Sequence, residues 1–488
     1  MSVGVWEEVG LGVEEDWLER VEKITGVDKA LIAEAARMYA TADGASIPWT
    51  PITDQQISST SAIRLHSILR AVTGNLDVVG GDTLGGFNPS YIPESELGLH
   101  EVLSPEQKAK QMGYDDHPVY TYRVAEMLKE PTEKVWGFPY ADIVMGCHMA
   151  NPTNVFRAMK TEQPYPIKAF IVLGNNALLS YPNQHQILEA MMNQELIVAH
   201  ELFMTPTAML ADYILPGDVF TERNHVADGW SWTTRLTLSQ KVVEPPEQAS
   251  STYQFWHDLA VRFGFGNEFP WQSIEEVLDH RLARSGRTFR EFEEQGFMEM
   301  PIPEYRKYRK TGFATPSGKV ELYSSILEEL GFDPLPYYRE GPATSPEYPY
   351  MVFTGVREDP FFQTGQRNVK ELRDRCPVPS VFIHPEDATR DGLNDGDWIS
   401  LETPHGKVSA QLSVQSSMKQ GHLRVPHGWW YPEMRGQESL AGAFLSSDAV
   451  LCSDDDEFLD YEQGIPHFKG FPGKVVKAEK PEHLQVAS

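Results

Sequence analysis

IKAFIVLGNNALLSYPNQHQILEAMMNQELIVAHELFMTPTAMLADYILP, residues Ile167 to Pro216, is the stretch on which the fold turns. Ala169 to Leu173 is an unbroken apolar run, the pattern of a strand covered on both faces of a parallel sheet. Gly174-Asn175-Asn176 ends it. From Asn183 to Asn193, Ile187, Leu188 and Met191 fall on one helical face. Glu195 to His200 reads as a second strand, Thr205 to Leu210 as the start of a second helix, and Tyr213 to Pro216 as a third strand. Strand, helix, strand, helix, strand is the order of one half of a doubly wound, nucleotide-binding α/β layer.

Upstream, Trp17, Leu18, Val21 and Ile24 recur at helical spacing. After Gly26, Asp28 can cap a second helix carrying Leu31, Ile32, Ala35 and Met38. Ala45 to Trp49 reads as a short strand, and Ser58 to Val72 as a third helix stopped at Gly74. Residues 84–165, irregular and dense in proline and aromatics, read as surface excursions. Downstream, helices are expected at Tyr253 to Phe263, Ile274 to Ser285 and Thr288 to Gly296, followed by a Pro/Gly-rich linker from Gly331 to Tyr348. Short alternating strands then follow at Tyr350–Thr354, Ser380–His384, Asp397–Glu402, Lys407–Val414 and His422–Val425. Turns such as Asn394-Asp395-Gly396-Asp397 separate them, as in a small β-barrel. The expected class is α/β plus β: doubly wound nucleotide-binding halves followed by a C-terminal barrel.

The 488 residues are too many for one core. The 42 basic residues against 70 acidic ones give a net charge of −28, which argues against a nucleic-acid partner, since phosphate backbones need a positive surface. No run of about eighteen apolar residues suggests a transmembrane segment. The first twenty residues lack a basic start followed by an apolar stretch, so they do not read as a secretory signal. Cys147, Cys376 and Cys452 are too far apart to suggest a disulfide framework, a zinc site or an iron–sulfur site by spacing.

The chemistry-bearing residues gather at strand ends. Backbone donors at Gly174, Asn175 and Asn176 can approach a phosphate. Glu201 follows the second strand, where an acid can bind ribose hydroxyls or a guanine edge. On the residues alone the plainer reading leads: Asn176 and Asn183 form turns, and Glu201 and Thr205 cap a helix.

Motifs weigh against that bland reading. GNNALLSYPN with IVAHELFMTPTAMLADYILPGDVFTERN resembles the segment of dimethyl sulfoxide reductase family molybdopterin oxidoreductases that binds a guanine dinucleotide. The shared positions are Gly174, Asn176, Ser180, Pro182 and Asn183, then Phe203, Thr205, Thr207, Ala208, Ala211, Asp212, Leu215 and Pro216. Ala177 stands where the family usually has Pro, and Glu201 where it usually has Asp. TGNLDVVGGD (Thr73 to Asp82), ATPSGKVELYS (Ala314 to Ser324) and FIHPEDATRDGLNDGDWISLETPHGKVSAQ (from Phe382) resemble further blocks in the family's order. The resemblance implies a double-psi-like barrel. It also implies units at 1–83 (the end of one α/β cofactor domain), 84–250 (a second), 251–345 (a connecting region) and 346–488 (the dinucleotide-binding barrel).

The resemblance further implies cofactor contacts from Gly174, Asn175, Asn176, Ser180, Asn183, Glu201 and Thr205 on the α/β side. From the barrel it implies Arg357, Gln363, Thr364 and Arg367 in TGVREDPFFQTGQRN, and His427, Gly428 and Trp429 in HGWW. Trp430 is assigned to packing. Guanidinium groups suit a diphosphate geometrically. The implied cofactor is bis-molybdopterin guanine dinucleotide with Mo or W. The catalytic metal ligand and any 4Fe–4S cluster belong to a family segment with no counterpart here. The resemblance therefore leads to the expectation of a C-terminal portion, completed by an N-terminal half or a separate chain carrying the metal ligand. An iron–sulfur electron-transfer subunit is a further implied partner. The compartment stays open: cytoplasmic, or periplasmic or otherwise extracytoplasmic if a missing N-terminus carries a twin-arginine signal. The expected activity is oxygen-atom, hydride or electron transfer, with a non-redox hydratase or a non-catalytic subunit as alternatives.

Overall fold

The computed structural model describes residues 17–84, 90–144, 148–227, 235–299, 304–434 and 439–485; Cys147 lies outside them. Helices α1 (Trp17–Thr25), α2 (Lys29–Thr41) and α3 (Ser59–Thr73) open the described chain. Asp28 caps α2 by accepting from the Ala30 N–H at 2.7 Å. Gly74 ends α3 with φ +77°, a left-handed conformation that a Cβ would strain. The strand expected at residues 45–49 does not form. The Ala45 and Ile47 N–H groups donate instead to Asn75 Oδ1 (2.9 Å) and Asp82 Oδ2 (3.1 Å), so side chains satisfy this backbone in place of a ladder.

The proline-rich region is more ordered than its composition suggests. Thr121 caps α4 (Tyr122–Trp136), and Asn151 caps α5 (Pro152–Thr161). The region is tied to the far end of the chain. Val119 N–H donates to the Glu462 carbonyl, and Asn151 Nδ2 donates to the Gln463 carbonyl at 2.8 Å. A cleft of about 650 Å³ opens beside α4, lined in part by His100, Lys108, Tyr122 and Asp142.

Strands β1 (Ala169–Leu173), β2 (Leu196–Glu201) and β3 (Tyr213–Pro216) pair in parallel in the order β1-β2-β3. Helix α6 (Gln184–Met192) connects the first two, and Asn183 caps it. The strand order runs one way, so this sheet has no internal reversal of the doubly wound kind. The second connection is too short for a helix. Only a 3-10 turn forms at Ala208–Leu210. Thr205 Oγ1 accepts from Ala208 N–H at its start, and Asp212 takes the Ile197 N–H at 2.8 Å just beyond it. Phe156, Met159, Leu178, Leu179, Ile187, Met191 and Ile197 form the core of this unit.

A small antiparallel sheet follows, of β4 (His225–Ala227), β5 (Arg235–Ser239) and β6 (Phe297–Glu299). The chain between β5 and β6 carries helices α7 (Thr252–Arg262), α8 (Ile274–Leu282) and α9 (Phe289–Gln295). Leu278 and Leu282 of α8 and Phe289 and Phe292 of α9 pack under this sheet with Tyr91.

The C-terminal region is a closed six-stranded barrel, as the alternating runs predict. Its strands are β7 (Tyr350–Val356), β8 (Ser380–Ile383), β9 (Trp398–Thr403), β10 (Gly406–Val414), β11 (His422–Pro426) and β12 (Lys469–Lys477), in the spatial order β10-β8-β11-β7-β12-β9. Every second residue turns inward: Tyr350 and Val352, Ile399 and Leu401, Val408, Ala410 and Leu412, Leu423 and Val425. Burying each such aliphatic side chain contributes roughly 2 kcal/mol. The barrel shares a core with the α/β unit, because Trp430, Leu440, Ala441 and Ala443 pack into the cluster of Leu178, Leu179 and Ile187. Among the described residues, no helix is long and apolar enough to cross a membrane.

Candidate cofactor-binding site

The first half of the site lies where β1 and β2 end. Gly174 and Asn175 are exposed, and Gly174 has φ +56° with open space where a Cβ would stand. Glu201 is half-buried, and its carboxyl accepts from the Leu202 N–H at 3.2 Å. Burial pushes this carboxyl above its ordinary range, against the pull of the Leu202 and Phe203 N–H groups. The other expected contacts turn inward. Asn176 Oδ1 accepts from Thr207 Oγ1 (2.8 Å) and Thr207 N–H, pinning the loop to the next turn. Ser180 Oγ donates to the Asn176 carbonyl, and Thr205 caps its turn. Asn183 Nδ2 donates to Asp454 Oδ1 at 2.7 Å, docking α6 on the barrel.

The second half is the barrel loop after β7 together with the chain after β11. Arg357 is exposed, with its guanidinium 4.9 Å from the Phe362 ring. Gln363 is exposed in a left-handed conformation, φ +50°. Thr364 is buried and presses on Gly428: a Cβ there would sit 2.4 Å from Thr364 Cγ2. Trp430 Nε1 donates to the Thr364 carbonyl at 2.7 Å, so one indole joins this loop to the core beneath the 174–183 loop.

Two expected cofactor contacts are corrected here. Arg367 is 1% exposed. It donates to the carbonyls of Gln363 (2.6 Å), Gly365 (3.2 Å) and His427 (2.7 Å), and lies over the Phe361 and Trp429 rings. It stitches the loop to His427 from inside and offers no cation to solvent. Trp429 is fully buried against Phe361 and Tyr431, so it is core and not a wall of the site.

Asp448 organises this half and carries no local sequence signal. It is fully buried and accepts from Gly355 N–H and Gly428 N–H, both at 2.7 Å, and faces His427 Nδ1 at 3.2 Å. Burial alone would raise its carboxyl. The contact with His427 and the two backbone donors outweigh that and hold it below the ordinary carboxylate range. Its partners lie 93, 20 and 21 residues away in sequence, so only the folded barrel brings them together. Glu358, beside Arg367, is a second group the sequence reading missed. Burial, opposed by Cys376 and by nearby Arg367, Arg424 and Arg373, pushes its carboxyl up to about 7.

The groups left facing outward are an exposed Gly-Asn turn, a half-buried carboxyl, an exposed guanidinium, an exposed amide and the edge of His427. Behind them, Asn176 Nδ2 and Trp429 Nε1 are buried with no partner among the described residues. An acid for a base or ribose edge, together with a cation and amides for phosphate, is a donor set that fits a nucleotide-tailed cofactor. Among the described residues, no group of three or more His, Cys, Asp or Glu could hold a metal ion.

Fold and site thus combine an α/β unit docked on a closed six-stranded barrel with a donor set that fits a nucleotide-tailed cofactor. Residues 92–262 match the family model Molybdopterin oxidoreductase, and residues 351–455 match Molydopterin dinucleotide binding domain. The chain belongs to the dimethyl sulfoxide reductase family of molybdopterin enzymes. It is 44% identical over 484 residues to acetylene hydratase of Syntrophotalea acetylenica, covering 97% of this chain and 66% of that protein. The solved structure of acetylene hydratase from Pelobacter acetylenicus matches with a TM-score of 0.91 at 43% identity, again covering 97% and 66%. Dopamine dehydroxylase of Eggerthella lenta is 25% identical over 570 residues, covering 97% and 53%. The chain spans just under two thirds of the first relative's length and about half of the last one's.

Proposed function

We propose that this chain grips the guanine-tailed pterin of a Mo or W enzyme that adds water to a small unsaturated carbon compound, acetylene or a close analogue. One observation carries the choice of hydration over redox chemistry: 44% identity to acetylene hydratase along almost the whole chain, against 25% to dopamine dehydroxylase. The oxidoreductase activity expected from the family resemblance becomes the second reading, favoured by the match of residues 92–262 to the oxidoreductase model.

When bound, the pterin-held metal supplies Lewis-acid or redox chemistry. This chain's residues bind and orient. Glu201 accepts from the guanine edge or ribose, and Asn175 borders the phosphates. Arg357 and Gln363 hold the diphosphate from the barrel side. Thr364, Gly428 and His427 form a close wall kept in register by Asp448 and Arg367. Asn176, Ser180, Asn183 and Thr205 act by fixing the loops that present these groups. The four sequence units, 1–83, 84–250, 251–345 and 346–488, are read as cofactor domain, cofactor domain, connector and barrel.

Helices α1 and α2 bury none of their residues, and Trp17, Ile24, Leu31, Met38 and Leu65 are exposed. We read this face as the docking surface for the polypeptide that carries the metal ligand, in one chain or two. The test is an assay of the assembled, metal-loaded enzyme. Water addition without an electron acceptor supports the hydratase reading. Substrate-dependent dye reduction with no hydration product overturns it in favour of redox catalysis.

A further inference from the structure

The loop Asp460–Gly464 is where four distant parts of the chain meet. Thr60 on α3 donates from its N–H (2.9 Å) and Oγ1 (2.7 Å) to Asp460. Tyr337 of the linker donates its hydroxyl to Glu462 Oε1 at 3.0 Å. From the region around α4, Val119 N–H reaches the Glu462 carbonyl and His117 Nδ1 lies 3.0 Å from the Tyr461 carbonyl. Thr153 and Asn151 hold the Gly464 and Gln463 carbonyls.

At the centre of this junction are two carboxyl groups, Asp460 at 0% exposure and Glu462 at 1%. Asp460 has three donors: both groups of Thr60 and the Gln463 N–H at 3.0 Å. All three are donors, so both Asp460 oxygens act as acceptors. Glu462 has Tyr337 on one oxygen, and its buried Oε2 has no donor among the described residues. Among the described residues neither nearby arginine forms an ion pair with these acids, although the Arg64 charge acts on Glu462 from a distance. Arg64 on α3 donates to the Pro334 and Leu322 carbonyls. Arg339 on the linker donates to those of Ile57, Leu459 and Glu457. Of the other titratable neighbours, Asp54, Tyr120 and Asp333 add negative charge or none, and His117 is engaged with the Tyr461 carbonyl.

We propose that Asp460 and Glu462 form a proton-binding site: one proton on Glu462, shared with the Asp460 carboxylate, locks α3, the linker and the α4 region onto the barrel. Two adjacent carboxylates without a cation are too costly to bury, whereas one acid hydrogen-bonded to one carboxylate satisfies the oxygen that otherwise lacks a donor. Burial and the Asp460 charge hold the Glu462 carboxyl well above its ordinary range. A raised acid stabilises the folded junction at pH values below its unfolded-state pKa. That contribution is lost as pH rises through the folded-state value. The junction therefore loosens on the alkaline side. This inference does not depend on the pterin.

The test uses the full chain and infrared spectroscopy. Glu462→Gln keeps a donor toward Asp460 and removes the titration; the exposed Glu457→Gln is the control. The wild-type minus E462Q difference should show the carbonyl stretch of a protonated carboxylic acid, sensitive to D2O and fading as pH rises. E457Q should retain the band. Amide exchange in residues 59–63 and 117–121, corrected for base catalysis, should accelerate up to about tenfold per pH unit in the wild type and stay flat in E462Q. If E462Q does not fold, 13C-glutamate labelling in an E358Q background identifies the band without altering Glu462. Absence of the band overturns the proposal. So does one tightly held metal ion per chain that E462Q or D460N loses.

Discussion

Replacing Asp448 is the sharpest way to break the barrel half of the site, because three donors converge on one buried carboxylate. In D448A the N–H groups of Gly355 and Gly428 and the Nδ1 of His427 all lose their acceptor inside the protein. Leaving buried donors unpaired costs about 1–3 kcal/mol each. Partial relaxation and water entry lower the sum, so about 4 kcal/mol is the working figure. At about 3 °C per kcal/mol for a unit of this size, the barrel transition in calorimetry should fall by about 12 °C. D448N keeps one acceptor oxygen but turns an amide donor toward a backbone N–H, and should lose roughly half as much. Gly428 would no longer be held against Thr364, so pterin content should fall with stability. A D448A transition within about 2 °C of the wild type would refute the reasoning, because it would mean the three donors have other partners.

Three further outcomes follow from the same geometry. Glu358, pushed up to about 7 by burial, makes the loop after β7 most stable below its unfolded-state pKa near 4.5 and progressively less stable up to about 7. E358Q should flatten that dependence, whose full span is on the order of 3 kcal/mol, as read by pH-dependent denaturant unfolding. Gly428→Ala, at φ +57° and with its Cβ 2.4 Å from Thr364 Cγ2, should destabilise by roughly 2–3 kcal/mol and reduce pterin retention, measured by melting and by guanine nucleotide released per chain. Arg357→Ala, at an exposed position, should leave the melting temperature unchanged but lower pterin occupancy; unchanged metal and pterin content would reject its role.

What could be read in the sequence was what depends on local pattern. The run Ala169–Leu173 does form a parallel strand, although only Val172 is fully buried and Ala169 is exposed, so it is not covered on both faces; the alternation in β7 to β11 follows from which faces are buried, and Asp28 and Gly74 announce helix ends by their own chemistry. The failures share a cause. Ala45–Trp49 has strand-like composition, but Asn75 and Asp82 take its N–H groups. Thr205–Leu210 has a helical start, but β3 begins too soon after it. The α4 region seemed irregular because its order comes from contacts with residues more than 300 positions away, such as Asn151 with Gln463.

For the site, the motifs found the right loops but not the division of labour within them. Arg367 and Trp429 resemble ligand-facing residues in sequence, yet both are sealed inside, and Asn176, Ser180, Asn183 and Thr205 hold backbone. Asp448 shares the stretch Ser446 to Glu457 with the exposed Asp455, Asp456 and Glu457, and no motif marks it as the one that gathers the barrel's donors. Thr60 and Asp460 are separated by 400 residues.

The most direct measurement is an experimental structure of the metal-loaded enzyme at a resolution that shows the pterin's nucleotide tail. The account requires guanine or ribose oxygens and nitrogens within hydrogen-bonding distance of Glu201, and phosphate oxygens within reach of Arg357 or Gln363. A tail bound elsewhere, with Glu201 and Arg357 both facing bulk water, would contradict it.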